Sequence, residues 1–464
     1  MASPEVATAA TGHFTPGATA TSASRRLRPG WPLTALYVLF PLWWVLGLSH
    51  FIFLILAVPM GWELMRRRPV FAPTGFGLWL LFLVVVASGS VLLWIVPPGT
   101  IAPEGAAKLI SWSYHFGWYT AITIVALYIV NMPERELPTE KVMRLLGLMF
   151  VYTVLGGLAG VLFPRLDFPS LLELVVHVPS DNFLSFLLHP WVNTPSDFLG
   201  YDQPRPAAPF SYANDWGNNL GLFLPFFWGS WLRRDAGWRR PIGVVVLVAS
   251  LVPIAYSLNR GLWAGLIAAA VLVALRLAAM GRVRVLQVTV ALLIIGSAAF
   301  VVSPLYDTVA LRVDTPHSND RRAELSEEVI SKTVVLSPLL GYGETRGVSG
   351  NFASIAGGST PDCEQCGVPP LGTQGFLWRL IFTTGLLGTL LFLAFVIGQF
   401  LRFVRAEDPV ALIGCLVIFL ALIFSWVYDS LESPLFTMMI AIGLLNRRFL
   451  RDGQTVRSLS ASRS

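Results

Sequence analysis

Apolar residues run along this chain in long blocks separated by short charged patches, without the polar alternation of a water-covered helix or strand. A run of roughly 20 apolar residues is the length that crosses a bilayer. On that measure the blocks predict twelve spans, near 33–47, 50–65, 75–96, 110–131, 142–163, 216–232, 241–258, 261–280, 285–302, 375–401, 409–427 and 434–446. The first two form a tight hairpin that turns near Ser49 and His50. The expected fold is all-α, a polytopic membrane helix bundle of about twelve transmembrane helices.

Two intervals break the pattern. Residues 164–215 contain LLELVVHV and NFLSFLLHPWV, short amphipathic stretches suited to lying along a membrane surface. Residues 303–374 form the longest connection, and long structured loops are usually functional. Residues 1–30, rich in Ala, Thr, Ser, Pro and Gly with no apolar core, read as a disordered cytoplasmic tail and not as a cleaved signal peptide. Residues 451–464 read as a second tail, which leaves 31–450 as one transmembrane domain without internal repeats.

Composition agrees: 55% of residues are hydrophobic and 13% charged, which excludes a soluble enzyme of this length. The net charge of +6 would suit a nucleic-acid partner if the basic residues were not distributed as they are. With the N-terminus in the cytoplasm, most Lys and Arg fall in inner segments, among them Arg66 to Arg68, Arg135, Arg144, Arg233, Arg234, Arg239, Arg240, Arg276, Arg282, Arg284, Arg402, Arg405, Arg447 and Arg448. That is the positive-inside pattern, with an even number of spans and both termini inside. It implies membrane lipids and no nucleic acid as partners, and directs the search for chemistry to the outer face.

Four outer segments carry candidate residues. Arg260, in YSLNRGLWAGL, sits between spans seven and eight, where a guanidinium either binds a phosphate or pyrophosphate or snorkels to the interface. The stretch from His317 to Glu344 has helical spacing, with Asn319 or Asp320 as N-cap. Arg321 and Arg322 then fall in the first turn, awaiting an anion or pairing with nearby glutamates. In PPLGTQGFLWRLIFTTGLLG, Gln374 and Arg379 are polar at membrane depth, while the glycines permit close backbone approach. In RPAAPFSYANDWGNN, Asn214, Asp215, Asn218 and Asn219 either meet sugar hydroxyls or cap a helix.

The order of these segments resembles the O-antigen ligase and polymerase superfamily. Phe210 and Asn214 supply a Phe-x-x-x-Asn opening, Arg260-Gly261 an Arg-Gly helix start, residues 338–343 a Pro-Leu-x-Gly-x-Gly run, and Gln374-Gly375 a polar dipeptide before the Gly385–Gly388 G-L-L-G pattern. The resemblance covers roughly residues 200–400 by motif and the whole chain by its twelve-span layout. It implies a glycosyltransferase in a bacterial plasma membrane, active on the outer face, taking a glycan from a polyprenyl-pyrophosphate donor to an acceptor glycan or lipid. Arg260 and Arg321 or Arg322 are then expected to hold the pyrophosphate; no cofactor or metal is expected. Ligases of this family carry a histidine, the proposed base, where this chain has Gln374. A glutamine orients a hydroxyl but does not deprotonate it. Either the base lies elsewhere, with Asp215, His317 and Glu344 as candidates, or deprotonation runs late and the arginines carry the reaction, or transfer has been lost. Cys363 and Cys366, in PDCEQCG, suit a local disulfide better than a metal site. A polymerase, or a transporter or flippase of lipid-linked glycans, is the alternative reading.

Overall fold

A computed structural model describes residues 28–101, 105–177, 183–194, 205–284, 286–291, 294, 317–347 and 370–461. Among them the chain is mostly helical, with one two-stranded ribbon pairing Asn193–Thr194 with Arg205–Pro206. A broken helix, α1 (Trp31–Val38) and α2 (Phe40–Val45), leads into α3 (Ile52–Met65), α4 (Phe76–Ser88), α5 (Ala107–Asn131) and α6 (Thr139–Leu162). Short α7 (Leu171–Val176) and α8 (Phe183–Leu188) follow, then α9 (Ala213–Trp231), α10 (Arg239–Tyr256) and α11 (Arg260–Ala279). The last four are α12 (His317–Leu336), α13 (Phe376–Phe403), α14 (Pro409–Phe424) and α15 (Ser433–Ala461).

The all-α class read from the apolar blocks is the class observed. Four described helices, α6, α10, α11 and α13, are long and apolar enough to cross a bilayer, and α3, α4 with its 3-10 extension to Leu92, and α14 are shorter apolar helices. The expected block at 285–302 and the Cys363–Cys366 pair lie mostly or wholly outside the described residues. The amphipathic stretches form α7 and α8. Ser170 and Glu173 close a capping box at the start of α7, whose Leu171, Leu174, Val175 and Val176 remain exposed.

Burial sorts the helices into a centre and a periphery. From Leu435 to Leu445, α15 is buried on nearly every side, the condition of a helix that is apolar all round and enclosed by others. In contrast α10 and α11 leave residues such as Val245, Leu251 and Ile267 uncovered, apolar surface that water would penalise and hydrocarbon would not.

The two ends of the bundle differ in chemistry. At one end, basic side chains fasten the turns: Arg67 pairs with Glu136, Arg276 meets the Ala406 carbonyl, and Arg447 donates to the Leu137 carbonyl (2.9 Å) and Thr139 Oγ1 (2.6 Å). The opposite end gathers the Ser49–His50 turn, the start of α9, the Ser257–Asn259 turn, the segment after α12, and the 425–432 turn between α14 and α15.

Candidate active site at the end of the bundle

The segment after α12 enters the bundle through a break in α13. At Gly385 the backbone leaves helical geometry (φ 64°, ψ −169°), a conformation that glycine alone adopts at low cost. The break frees carbonyls below it and amides above it, and Pro338–Gly343 supplies the partners. Tyr342 N–H donates to the Phe382 carbonyl and Gly343 N–H to that of Thr383, both at 2.9 Å; the carbonyls of Pro338 and Leu339 accept from Leu386 and Leu387 at 2.8 and 3.3 Å. Four backbone groups are thus satisfied from outside the helix, and the two on the buried Phe382 and Thr383 would each cost about 1–3 kcal/mol unpaired. The buried Arg346 then pins the emerging chain to the end of α4, donating to the Leu93 carbonyl (2.7 Å) and to those of Glu344 (2.8 Å) and Tyr342 (3.1 Å).

This insertion delivers Glu344 into a chain of charged groups. Its Oε2 lies 2.6 Å from His115 Nδ1 on α5, and its Oε1 accepts from the Thr345 amide at 2.8 Å. His115 Nε2 receives Arg379 Nη1 at 3.1 Å, and Arg379 Nη2 lies 2.5 Å from Asp429 Oδ2. His115 thus stands between a carboxylate on one ring nitrogen and a guanidinium on the other. Burial alone would push the Glu344 carboxyl up; the His115 ring, its hydrogen bond, Arg379 and the Thr345 amide outweigh it and hold the group at about 2.

A second constellation lies in the neighbouring turn. His50 Nδ1 is 2.6 Å from Glu432 Oε2, and His50 Nε2 is 2.6 Å from Ser211 Oγ. Tyr114, next to His115 in α5, donates to the other Glu432 oxygen at 2.7 Å. The two constellations are joined by sequence neighbours on α5 and on the 425–432 turn. Burial pushes the Glu432 carboxyl up, but His50 and the Tyr114 hydroxyl leave it below its ordinary value. His50 responds in the other direction: burial lowers it, and Glu432 and Asp215 raise it more.

Asp215, in the first turn of α9, lies within electrostatic range of Glu432, Asp429 and His50, and is partly open to solvent. Asn214 Oδ1 accepts from Arg205 Nη2 at 3.4 Å. Asn218 and Asn219 are buried and fasten α9 to the turn before α15 and to α15 itself, bonded to Ser430 Oγ (2.9 Å) and Ser433 Oγ (2.8 Å), so neither caps the helix. Arg260 opens α11 at this same end. The preceding Asn259 caps that helix, donates to the Ala213 carbonyl at 3.1 Å, and accepts from Tyr428, one residue before Asp429. Neither a scan against protein-family models nor comparisons with curated proteins and solved structures found a match.

Gln374 is buried, with its amide turned onto its own loop: Oε1 accepts from Gly372 N–H at 3.1 Å, and Nε2 is 3.5 Å from the Pro370 carbonyl. Helix α12 begins at His317, earlier than the Asn319 or Asp320 cap that the sequence suggested, which moves Arg321 and Arg322 into its second turn. Asp320 then falls in the first turn, a position where the helix dipole favours negative charge. The side chains of His317, Arg321 and Arg322 lie outside the described residues. The site brings Asn214, Asp215, Arg260, Gln374 and Arg379 to one end of the bundle and adds His50, His115, Asp429 and Glu432, which the sequence reading did not single out. Two of these had a signal: the carboxylates of WVYDSLESP sit in a short turn between two apolar blocks, where ionisable groups beside membrane-length helices point to function.

Proposed function

We propose that this protein is a polytopic membrane glycosyltransferase of the O-antigen ligase type. It transfers a glycan from a polyprenyl-pyrophosphate donor to an acceptor hydroxyl at the outer end of a twelve-span bundle, with both termini in the cytoplasm. The observation that carries the reading is convergence. The start of α9, the Arg260 start of α11, the Pro338–Gly343 insert and the Gln374–Gly388 segment are dispersed over about 180 residues, yet they interlock through Asn259, Tyr428 and the break at Gly385. These are the segments on which the family resemblance rests. Basic residues fasten the opposite end, in keeping with a cytoplasmic side.

The chemistry follows from the groups assembled. A pyrophosphate is already an activated leaving group, so the enzyme's task is to neutralise its developing charge and to align the acceptor oxygen behind the anomeric carbon. Arg260, with Arg321 or Arg322 from α12, supplies fixed positive charge for the first task. The Asp215 carboxyl, partly open to solvent, offers an acceptor for a sugar hydroxyl in the second. Single displacement inverts the anomeric configuration.

The test is reconstitution of the purified protein into liposomes with lipid-linked glycans from cells deleted for it, plus membranes of the same cells as acceptor. The expected result is covalent transfer with release of polyprenyl pyrophosphate, lost in Arg260→Ala at equal protein level and retained in EDTA. Movement of intact donor across the bilayer without its consumption would replace this reading by a transporter.

A further inference from the structure

We propose that His50 is the proton acceptor for the acceptor hydroxyl, with Ser211 as the relay and Glu432 as the positioning residue. The inference rests on the transferase reading and supplies the base that Gln374 does not. The residues come from three segments far apart in sequence: the turn before α3, the loop before α9 and the turn before α15.

Two observations set Glu344 and His115 aside, and a third points to His50. Glu344 is sequestered, with both oxygens bonded and its proton affinity held low, so it is a poor base at neutral pH. Both ring nitrogens of His115 are occupied, one by Glu344 and the other by Arg379, which cannot surrender a proton to make room. Of the histidines at this end whose side chains are described, His50 alone presents a ring nitrogen to a hydroxyl, at 2.6 Å, while its other nitrogen faces a carboxylate at 2.6 Å. A hydroxyl, an imidazole and an orienting carboxylate in line form the arrangement by which proteins draw a proton from oxygen. The cavity beside His50 is lined by Phe40, Phe53, Trp118 and Phe210 together with Ser49, Ser433 and Glu432, and the ring nitrogens themselves meet Ser211 and Glu432.

The step balances as follows. The acceptor oxygen forms its bond to the anomeric carbon as the bond from that carbon to the pyrophosphate oxygen breaks, and the leaving oxygen takes the electron pair. The acceptor proton passes to Ser211 Oγ as the Ser211 proton passes to His50 Nε2. The imidazolium, stabilised by Glu432, then returns its proton to water through Ser211. The charged or titratable groups facing His50 are Glu432 and Asp215, with Tyr114 acting through Glu432.

The experiment is the pH profile of transfer in the liposome assay for wild type, His50→Gln and Glu432→Gln, with thermal stabilisation by undecaprenyl pyrophosphate as the folding control. Wild type should lose rate on an acid limb as His50 protonates. His50→Gln should fall about 100- to 10,000-fold, the usual worth of a general base, and lose that limb while undecaprenyl pyrophosphate still stabilises it. Glu432→Gln should move the limb to lower pH, since removing the carboxylate lowers the histidine's proton affinity. If His50→Gln does not fold, the shift in Glu432→Gln decides alone. Wild-type rate and limb in His50→Gln, or an unmoved limb in Glu432→Gln, would overturn the assignment. Retention of anomeric configuration would also overturn it, in favour of Ser211 as a nucleophile. Absence of transfer by wild type itself would instead sink the transferase reading.

Discussion

Glu344 remains an anion inside the protein because each of its oxygens has a partner, and its pH dependence follows from that. A carboxyl held at about 2 in the folded chain contributes stability that is fully present above the ordinary carboxylate range and disappears as pH falls through the folded value. Glu344→Gln should therefore lower stability by roughly 2 kcal/mol near neutrality, the scale of a charge-assisted hydrogen bond. The deficit should stay level from pH 8 to 5 and close between about 4 and 2, as followed by thermal unfolding in detergent. A deficit that widens on acidification would refute the pairing with His115. The contrast between Glu344 and Gln374 also marks what the sequence could show at this scale. Both were flagged by motif position, but only contacts distinguish a carboxylate wired into the site from an amide folded onto its own turn. His50 read as a hairpin turn because no spacing connects residues 50, 211 and 432; their meeting is a product of helix packing alone.

At the scale of elements, the G-L-L-G pattern signalled close approach without revealing what approaches. A continuous helix was the natural expectation for 28 mostly apolar residues, and α13 is one in length but not in backbone. The reason is that its broken ladder is completed by amides and carbonyls some 40 residues earlier, a long-range pairing with no local sequence signature. Gly385→Ala would place a methyl group against the Leu339 carbonyl at a positive φ. It should destabilise the fold by more than about 1 kcal/mol, where the same change at an unstrained site would stabilise it, and raise hydrogen exchange at Tyr342, Gly343, Leu386 and Leu387 together. Exchange confined to Leu386 and Leu387 would contradict a shared ladder. Asn259→Ala removes a helix cap and two tertiary bonds at once, so a loss above the usual ~1 kcal/mol for a cap is expected in thermal unfolding, with Arg260 displaced and transfer impaired.

Across the whole molecule, the apolar blocks announced the all-α class and helices long enough to cross a bilayer, because block length is a property of the chain that packing does not alter. Packing decides which helices face lipid. The last block forms the enclosed centre, while α10 and α11, equally apolar in sequence, stand at the edge. Orientation can be checked in a cysteine-free background. Asp167→Cys, exposed before α7, should react with an impermeant thiol reagent from outside intact cells, and Asp235→Cys, exposed between α9 and α10, only after permeabilisation. The reverse pattern would invert the topology and place the charged site in the cytoplasm. The insert through α13 bears on evolution as well as stability. Since residues 338–343 serve as rungs of another element's ladder, they are held to that element's register. One residue gained or lost among them would shift Glu344 away from His115 as surely as a deletion inside a helix. Length variation among relatives of this protein should therefore avoid those six positions, even though they belong by sequence to its longest loop.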